Sequence, residues 1–214
     1  INRAIINKII KYNFILLILS EARPWFLTPL DFGKKMAKFT LIPFNLKDAP
    51  SVVIHCEIHQ NNESLFLSFR IREGLELVQL GTNTPNKQRV IKLWEKTCFE
   101  FFLKNEENAY VEFNFSAAFE WNCFYFKRPG EPLCEWEPMQ RPDTEILLSL
   151  DHFLLFTEIK KNQFPKGFFD GEHTLCAGLT SVIQDKKGQM SYWALDHLDT
   201  RPNFHHFDSF KYTF

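Results

Sequence analysis

Phenylalanine occurs 24 times in 214 residues, and where it is densest it falls on alternate positions. Phe99 and Phe101 lead to Leu103, and Val111 leads to Phe113 and Phe115. A two-residue period puts these side chains on one face of an extended strand, and aromatic rings suit the pleated, half-buried surface of a sheet. Similar alternating segments, separated by polar turns, cover 39–44, 52–59, 65–72, 75–80, 97–104, 110–116, 121–126, 146–150, 154–159, 174–183, 189–197 and 210–214. Twelve such segments without a convincing amphipathic helix predict an all-β fold, an antiparallel β-sandwich of jelly-roll type. Segments 85–93 and 129–144 lack the alternation; the second carries Pro129, Pro132, Pro138 and Pro142 and reads as a long ordered loop.

The remaining composition narrows the function classes. With 45% hydrophobic and 24% charged residues, the chain has the balance of a globular protein. Its net charge of −1 offers no electrostatic case for nucleic acid or an anionic membrane. That total conceals an asymmetry: residues 1–35 carry six basic and two acidic groups, leaving the remainder acidic. The apolar run from Phe14 to Leu19 is far shorter than the roughly 18 residues a membrane span needs, so no transmembrane segment is expected. Residues 1–35 read as an upstream extension or a weak signal-like segment, with Met36 as the natural start of the domain, 36–214. Five cysteines in no paired framework suit free thiols in a reducing, cytoplasmic setting; a secreted fate follows if 1–35 act as a signal.

Strand phase also organises the polar residues. With Phe99, Phe101, Leu103, Val111, Phe113 and Phe115 on one face, two registers are open for this hairpin. One sets Glu100 opposite Glu112, where like charges repel; the other sets it opposite Asn114, which can donate a hydrogen bond. The second is preferred. A turn through 117–120 then predicts Ser116 opposite Trp121, Asn114 opposite Cys123 and Glu112 opposite Tyr125, with Phe124 and Phe126 joining the core face. The opposite face collects Glu100, Glu112, Asn114, Ser116, Trp121 and Tyr125. Rings beside carboxylate and amide groups suit a sugar, whose C–H faces stack while its hydroxyls need donors and acceptors. The alternative is an ordinary solvent face of a sandwich. In the last hairpin, a turn on 185–188 pairs Thr180 with Trp193 and Cys176 with His197. This leaves Trp193 either as a platform on the polar face or as a core indole with one acceptor.

The segments 93–103 (Leu-Trp-Glu-Lys-Thr-Cys-Phe-Glu-Phe-Phe-Leu), 110–116 (Tyr-Val-Glu-Phe-Asn-Phe-Ser) and 191–195 (Ser-Tyr-Trp-Ala-Leu), with the closing stretch 199–210, resemble the uncharacterised bacterial DOMON-like proteins. These are single-domain relatives of the DOMON and family 9 carbohydrate-binding modules. The resemblance covers 36–214 and implies a β-sandwich with a non-catalytic ligand-binding role, for sugar or haem. In the sugar-binding modules a Trp six residues before a strand Glu, an Arg-x-Asn on the next strand and a late Trp enclose a terminal sugar. Trp94 and Glu100 match the first spacing, Asn114 the Asn and Trp193 the late Trp, while Glu112 stands where the Arg would be, removing a fixed donor fork. Trp94, Glu100, Glu112, Asn114, Trp121, Tyr125, Trp193 and His197 are therefore the candidate ligand-binding residues, and a small sugar-like molecule is the expected partner.

Other readings remain open at this level. Haem requires an axial His or Met; Met139, Met190, His197, His205 and His206 are available, with no spacing that selects a pair. His55 and His59 on a strand are about 13 Å apart, too far to share an ion. Calcium held by carboxylates and loop carbonyls is possible without a definite place, so no cofactor is predicted. Glu100 and Glu112 on neighbouring strands fall within the roughly 5 to 9.5 Å used by glycosidases, which gives an enzyme alternative. A purely structural or interaction domain is the last.

Overall fold

The computed structural model describes residues 36–81, 86–171 and 173–214; the expected extension 1–35 lies outside the described residues. In chain order the strands are β1 (Ala37–Thr40), β2 (Ile42–Pro43), β3 (Ile54–Gln60), β4 (Ser64–Ile71), β5 (Cys98–Lys104), β6 (Tyr110–Phe115), β7 (Trp121–Phe126), β8 (Asp143–Leu148), β9 (Phe153–Lys160), β10 (Cys176–Gln184), β11 (Met190–Ala194) and β12 (Tyr212–Thr213). They form two antiparallel sheets, one in the order β1-β3-β4-β9-β8, the other β2-β11-β10-β5-β6-β7 with β12 also on β10. The fold is thus the all-β sandwich the alternation predicts. Among the described residues no helix is long and apolar enough to cross a membrane.

Two expected strands are built differently. The segment 39–44 divides at buried Leu41, so that β1 pairs with β3 in one sheet and β2 with β11 in the other. The segment 75–80 is not a strand. Gly74, at φ 76°, turns so tightly that a Cβ there would lie 2.1 Å from the Ser51 carbonyl oxygen, and a 3₁₀ turn, Leu75–Leu77, follows. Only glycine fits that approach.

Between the sheets, rings from both sides interlock. Phe99 stacks on Phe153 with centroids 5.0 Å apart and meets Phe69 at 5.4 Å. All three are fully buried, and each contributes on the order of 1.5–3 kcal/mol through removal from water.

Three hairpins share one turn chemistry, and that chemistry sets the faces. Asn105, Ser116 and Asp185 each open a five-residue turn by accepting backbone N–H bonds on the side chain: Glu107 and Ala109 donate to Asn105 Oδ1, Ala118 and Glu120 to Ser116 Oγ, Lys187 and Gln189 to Asp185 Oδ1. The fourth residue of each is left-handed, Asn108 at φ 65°, Phe119 at 66° and Gly188 at 86°, the three-residue hairpin loop with a bulge. In the first hairpin Glu100 faces Asn114, as expected.

The other two registers are each one residue from the expectation, which moves every side chain to the opposite face. Phe115, not Ser116, pairs with Trp121, so Asn114 faces Asn122 and Glu112 faces Phe124. Trp193 pairs with Ser181 and Tyr192 with Val182. Trp121, Tyr125 and Trp193 therefore lie on the inner side with the main core, while Phe124 and Phe126 lie outside.

The outer face of β5–β7 is not bare. Phe102, Tyr110, Phe124, Phe126 and Phe210 form a second aromatic cluster there, joined by Trp94, Phe204 and Phe207. Tyr110 stacks on Phe126 at 4.5 Å. The segment 195–209 passes over this face as a strap. Phe210 beyond it packs into the notch left by Gly178, where a Cβ would come within 2.6 Å of its ring.

Candidate functional site

Beneath the strap lies a cavity of about 230 Å³. Its floor is the outer face of the second sheet: Glu100 and Phe102 from β5, Glu112 from β6 and Val182 from β10. Trp94, carried on a short 3₁₀ turn (Leu93–Glu95) ahead of β5, and Tyr192 from β11 add ring walls, and Leu133 comes from the proline-rich loop. Pro202, Asn203, Phe204 and His205 of the strap complete it. Trp94 is steadied edge-on against Phe124 at 6.0 Å, and Tyr192 against Phe204 at 6.1 Å.

Two carboxyl groups reach this cavity with little water around them. Glu100 is 2% and Glu112 4% exposed. Thr180 Oγ1 donates to Glu100 Oε2 at 2.9 Å, and Asn114 Nδ2 donates to Glu112 Oε1 at 2.7 Å. Cys98 in turn donates its thiol to Asn114 Oδ1 at 3.3 Å. Glu112 Oε2 has no hydrogen-bond partner. The nearest cationic candidate is His205, whose Nε2 is 3.8 Å from it, beyond hydrogen-bond distance.

Burial, reinforced by the negative charge of Glu112, pushes the Glu100 carboxyl up to about 8. Burial likewise raises Glu112 to about 7, against the hydrogen bond from Asn114. Both are shifts toward the neutral acid, as expected where a carboxylate loses water without gaining a cation. His205 keeps about half of its side chain in solvent, yet its ring stands edge-on to Phe102, Tyr110 and Phe126. That desolvation lowers its pKa. Its Nδ1 shares a 3.0 Å hydrogen bond with the Tyr110 hydroxyl.

Of the residues singled out from the sequence, Trp94, Glu100 and Glu112 meet in the cavity, and Asn114 supports Glu112 from the fully buried floor beside it. Trp121, Tyr125 and Trp193 do not. Trp121 packs under the Arg89 guanidinium at 4.5 Å, Tyr125 against Trp136 at 5.3 Å, and Trp193 is 3% exposed with its indole N–H donated to Ser191 Oγ at 2.9 Å. The one-residue registers described above are the cause. His197 is elsewhere too: its ring contacts Phe44 at 5.3 Å, and its Nε2 lies 3.0 Å from the Ile42 carbonyl oxygen. Sequence reasoning missed Tyr192 as a wall, because pairing Thr180 with Trp193 turns Tyr192 to the inner face, whereas it pairs with Val182 on the outer one. Gly188, in the left-handed position of its turn, is the signal that would have corrected that register.

Among the described residues no group of three or more His, Cys, Asp or Glu is arranged to hold a metal ion. Of the haem-ligand candidates, Met139 is buried in the main core and His197 is turned away from the cavity. His205 lines the cavity, with its Nδ1 toward Tyr110.

Fold and site together define an antiparallel β-sandwich with a small roofed pocket on the outer face of one sheet. No protein-family model matches the chain, nor does any curated protein sequence. Among solved structures it is similar to a putative carbohydrate-binding protein from Bacteroides uniformis ATCC 8492, with 18% identity over 82% of this chain and 84% of that one, at a TM-score of 0.62. Also found is a family 9 carbohydrate-binding module from Caldicellulosiruptor kristjanssonii in complex with glucose, with 10% identity over 82% of this chain and 83% of that one, at a TM-score of 0.49. The first of these likenesses establishes the shared fold.

Proposed function

We propose that this chain is a non-catalytic module that binds one small carbohydrate in the pocket between β5–β6 and the strap. The observation that carries this reading is the pairing, in one roofed cavity, of ring walls (Trp94, Tyr192, Phe204) with two buried carboxyl groups (Glu100, Glu112). Rings take the C–H faces of a sugar, and carboxyl oxygens take its hydroxyls. A volume of about 230 Å³ lies below the roughly 300–1,000 Å³ of drug-sized sites, which favours a single ring over an oligosaccharide. The fold shared with a putative carbohydrate-binding protein points the same way.

Glu100 and Glu112 also support a glycosidase reading, because they sit on adjacent strands in one cavity. That chemistry needs one ionised and one protonated group, whereas burial here raises both carboxyls in the same direction. Binding is therefore preferred. Titration against a panel of mono- and disaccharides, followed by tryptophan fluorescence and calorimetry, tests it. Saturable binding of a monosaccharide, weakened at least about tenfold by Trp94→Ala, is expected. Failure of every sugar to bind overturns the proposal, and release of nitrophenol from a chromogenic glycoside, abolished by Glu100→Gln, replaces it with the enzyme.

A further inference from the structure

The two carboxyls pose a question that neutral sugar recognition leaves unanswered. No Lys or Arg is among the described residues lining the cavity, and the one base near them is His205, whose Nε2 lies 3.8 Å from Glu112 Oε2. His205 is half exposed, stands edge-on to three rings and shares its Nδ1 with Tyr110. Glu100 and Glu112 are each more than nine-tenths buried. Glu112 Oε2 has no hydrogen-bond partner at all, an arrangement that costs free energy unless something else completes it.

The polar network around them is one-sided. Asn114 is committed on both ends, donating to Glu112 and accepting from the Cys98 thiol, and Thr180 donates to Glu100. Each carboxyl is thus oriented by a fixed neighbour, and the cavity-lining face of Glu112 keeps one oxygen, Oε2, without a partner. Around that face stand Trp94, Tyr192 and Phe204. Aromatic faces attract a cation, and a desolvated carboxylate binds an ammonium more strongly than a hydroxyl.

We propose that the ligand carries a protonated amino group alongside its hydroxyls, that is, an amino sugar, with the ammonium at Glu112 Oε2 and the Glu100 carboxyl and its ring against the aromatic walls. This inference rests on the carbohydrate reading for the ring and hydroxyls, and on the two buried carboxyls, with Glu112 Oε2 unpartnered, for the charge. The upward displacement of both pKa values agrees with it, because an arriving ammonium supplies the missing countercharge and draws the carboxyls back to the ionised form.

The test compares 2-amino-2-deoxyglucose, glucose, N-acetylglucosamine and ethanolamine by calorimetry on the whole chain at pH 7.5. The amino sugar is expected to bind about tenfold more tightly than glucose or its N-acetyl form, the difference between a charge-assisted and a neutral hydrogen bond. Glu112→Gln, which keeps the shape and removes the charge, is expected to weaken the amino sugar about tenfold more than it weakens glucose and so erase the preference; Glu100→Gln serves if the first variant does not fold. Glucose binding as tightly as the amino sugar overturns the ammonium and leaves the carbohydrate reading standing. Ethanolamine binding where every sugar fails supports the charged group and removes the sugar. Absence of binding by all four probes overturns both.

Discussion

Trp94 and Trp193 look equivalent in the sequence, each a tryptophan beside a strand of the same sheet, and the fold gives them opposite work. Trp193 is enclosed in the main core with its indole N–H satisfied by Ser191; Trp94 stands on the cavity wall. Trp193→Ala should therefore cost about 3–5 kcal/mol of stability, measured by urea denaturation, whereas Trp94→Ala should cost much less and act on ligand affinity. Equal losses of stability in the two variants would contradict this division. Which tryptophan faces the cavity was not legible from residue type, because a Trp with one hydrogen bond suits a core and a platform equally. The Glu100–Asn114 pairing was legible, since the competing register brings two carboxylates together, a contact no turn chemistry repairs.

At the scale of elements, the three hairpins show where reading fails. All use a side chain that caps the turn and a fourth residue in the left-handed region, but only Asn108 and Gly188 advertise that position; Phe119 does not. A left-handed conformation costs a residue with a Cβ about 1–2 kcal/mol, so a phenylalanine there gives no sign that the ladder closes between Ser116 and Glu120 rather than between Ser116 and Trp121. Replacing Phe119 by glycine should yield a protein about 1 kcal/mol more stable than replacing it by alanine, with both variants losing the same ring. Thermal melts of the pair measure the difference, and equal midpoints would remove the turn as the explanation of the register. The second aromatic cluster was hidden for another reason. Phe102 lies opposite the core side of its strand, Phe124 and Phe126 reach that side only through the shifted register, and the strap that covers them carries no strand pattern of its own.

For the molecule as a whole, the buried carboxyls make stability depend on pH in an unusual direction. A carboxyl whose pKa is raised on folding binds its proton more tightly in the native state than in the unfolded one. Its contribution is fully present below the unfolded value of 4.5 and is lost as pH rises through the folded values of about 7 and 8. Unfolding midpoints should fall between pH 5 and pH 8.5, and the double variant Glu100→Gln, Glu112→Gln should flatten that slope. A midpoint that stays flat or rises over this range would contradict the upward shift of the two groups. The same measurement with a bound amino sugar should recover part of the loss at high pH, because the ligand supplies the countercharge the chain itself omits.

The strap has one more consequence, in the order of synthesis. Every residue of the cavity floor, from Trp94 through Val182, and the Tyr192 wall are made before Pro202 to His205. A nascent chain can thus assemble every strand but β12 while a sheet face rich in phenylalanine is still uncovered. Until Phe210 reaches the notch at Gly178, that face is an adhesive surface of the sort that draws chaperones or causes chains to cluster. The pocket is then the seam left where the fold conceals its stickiest side.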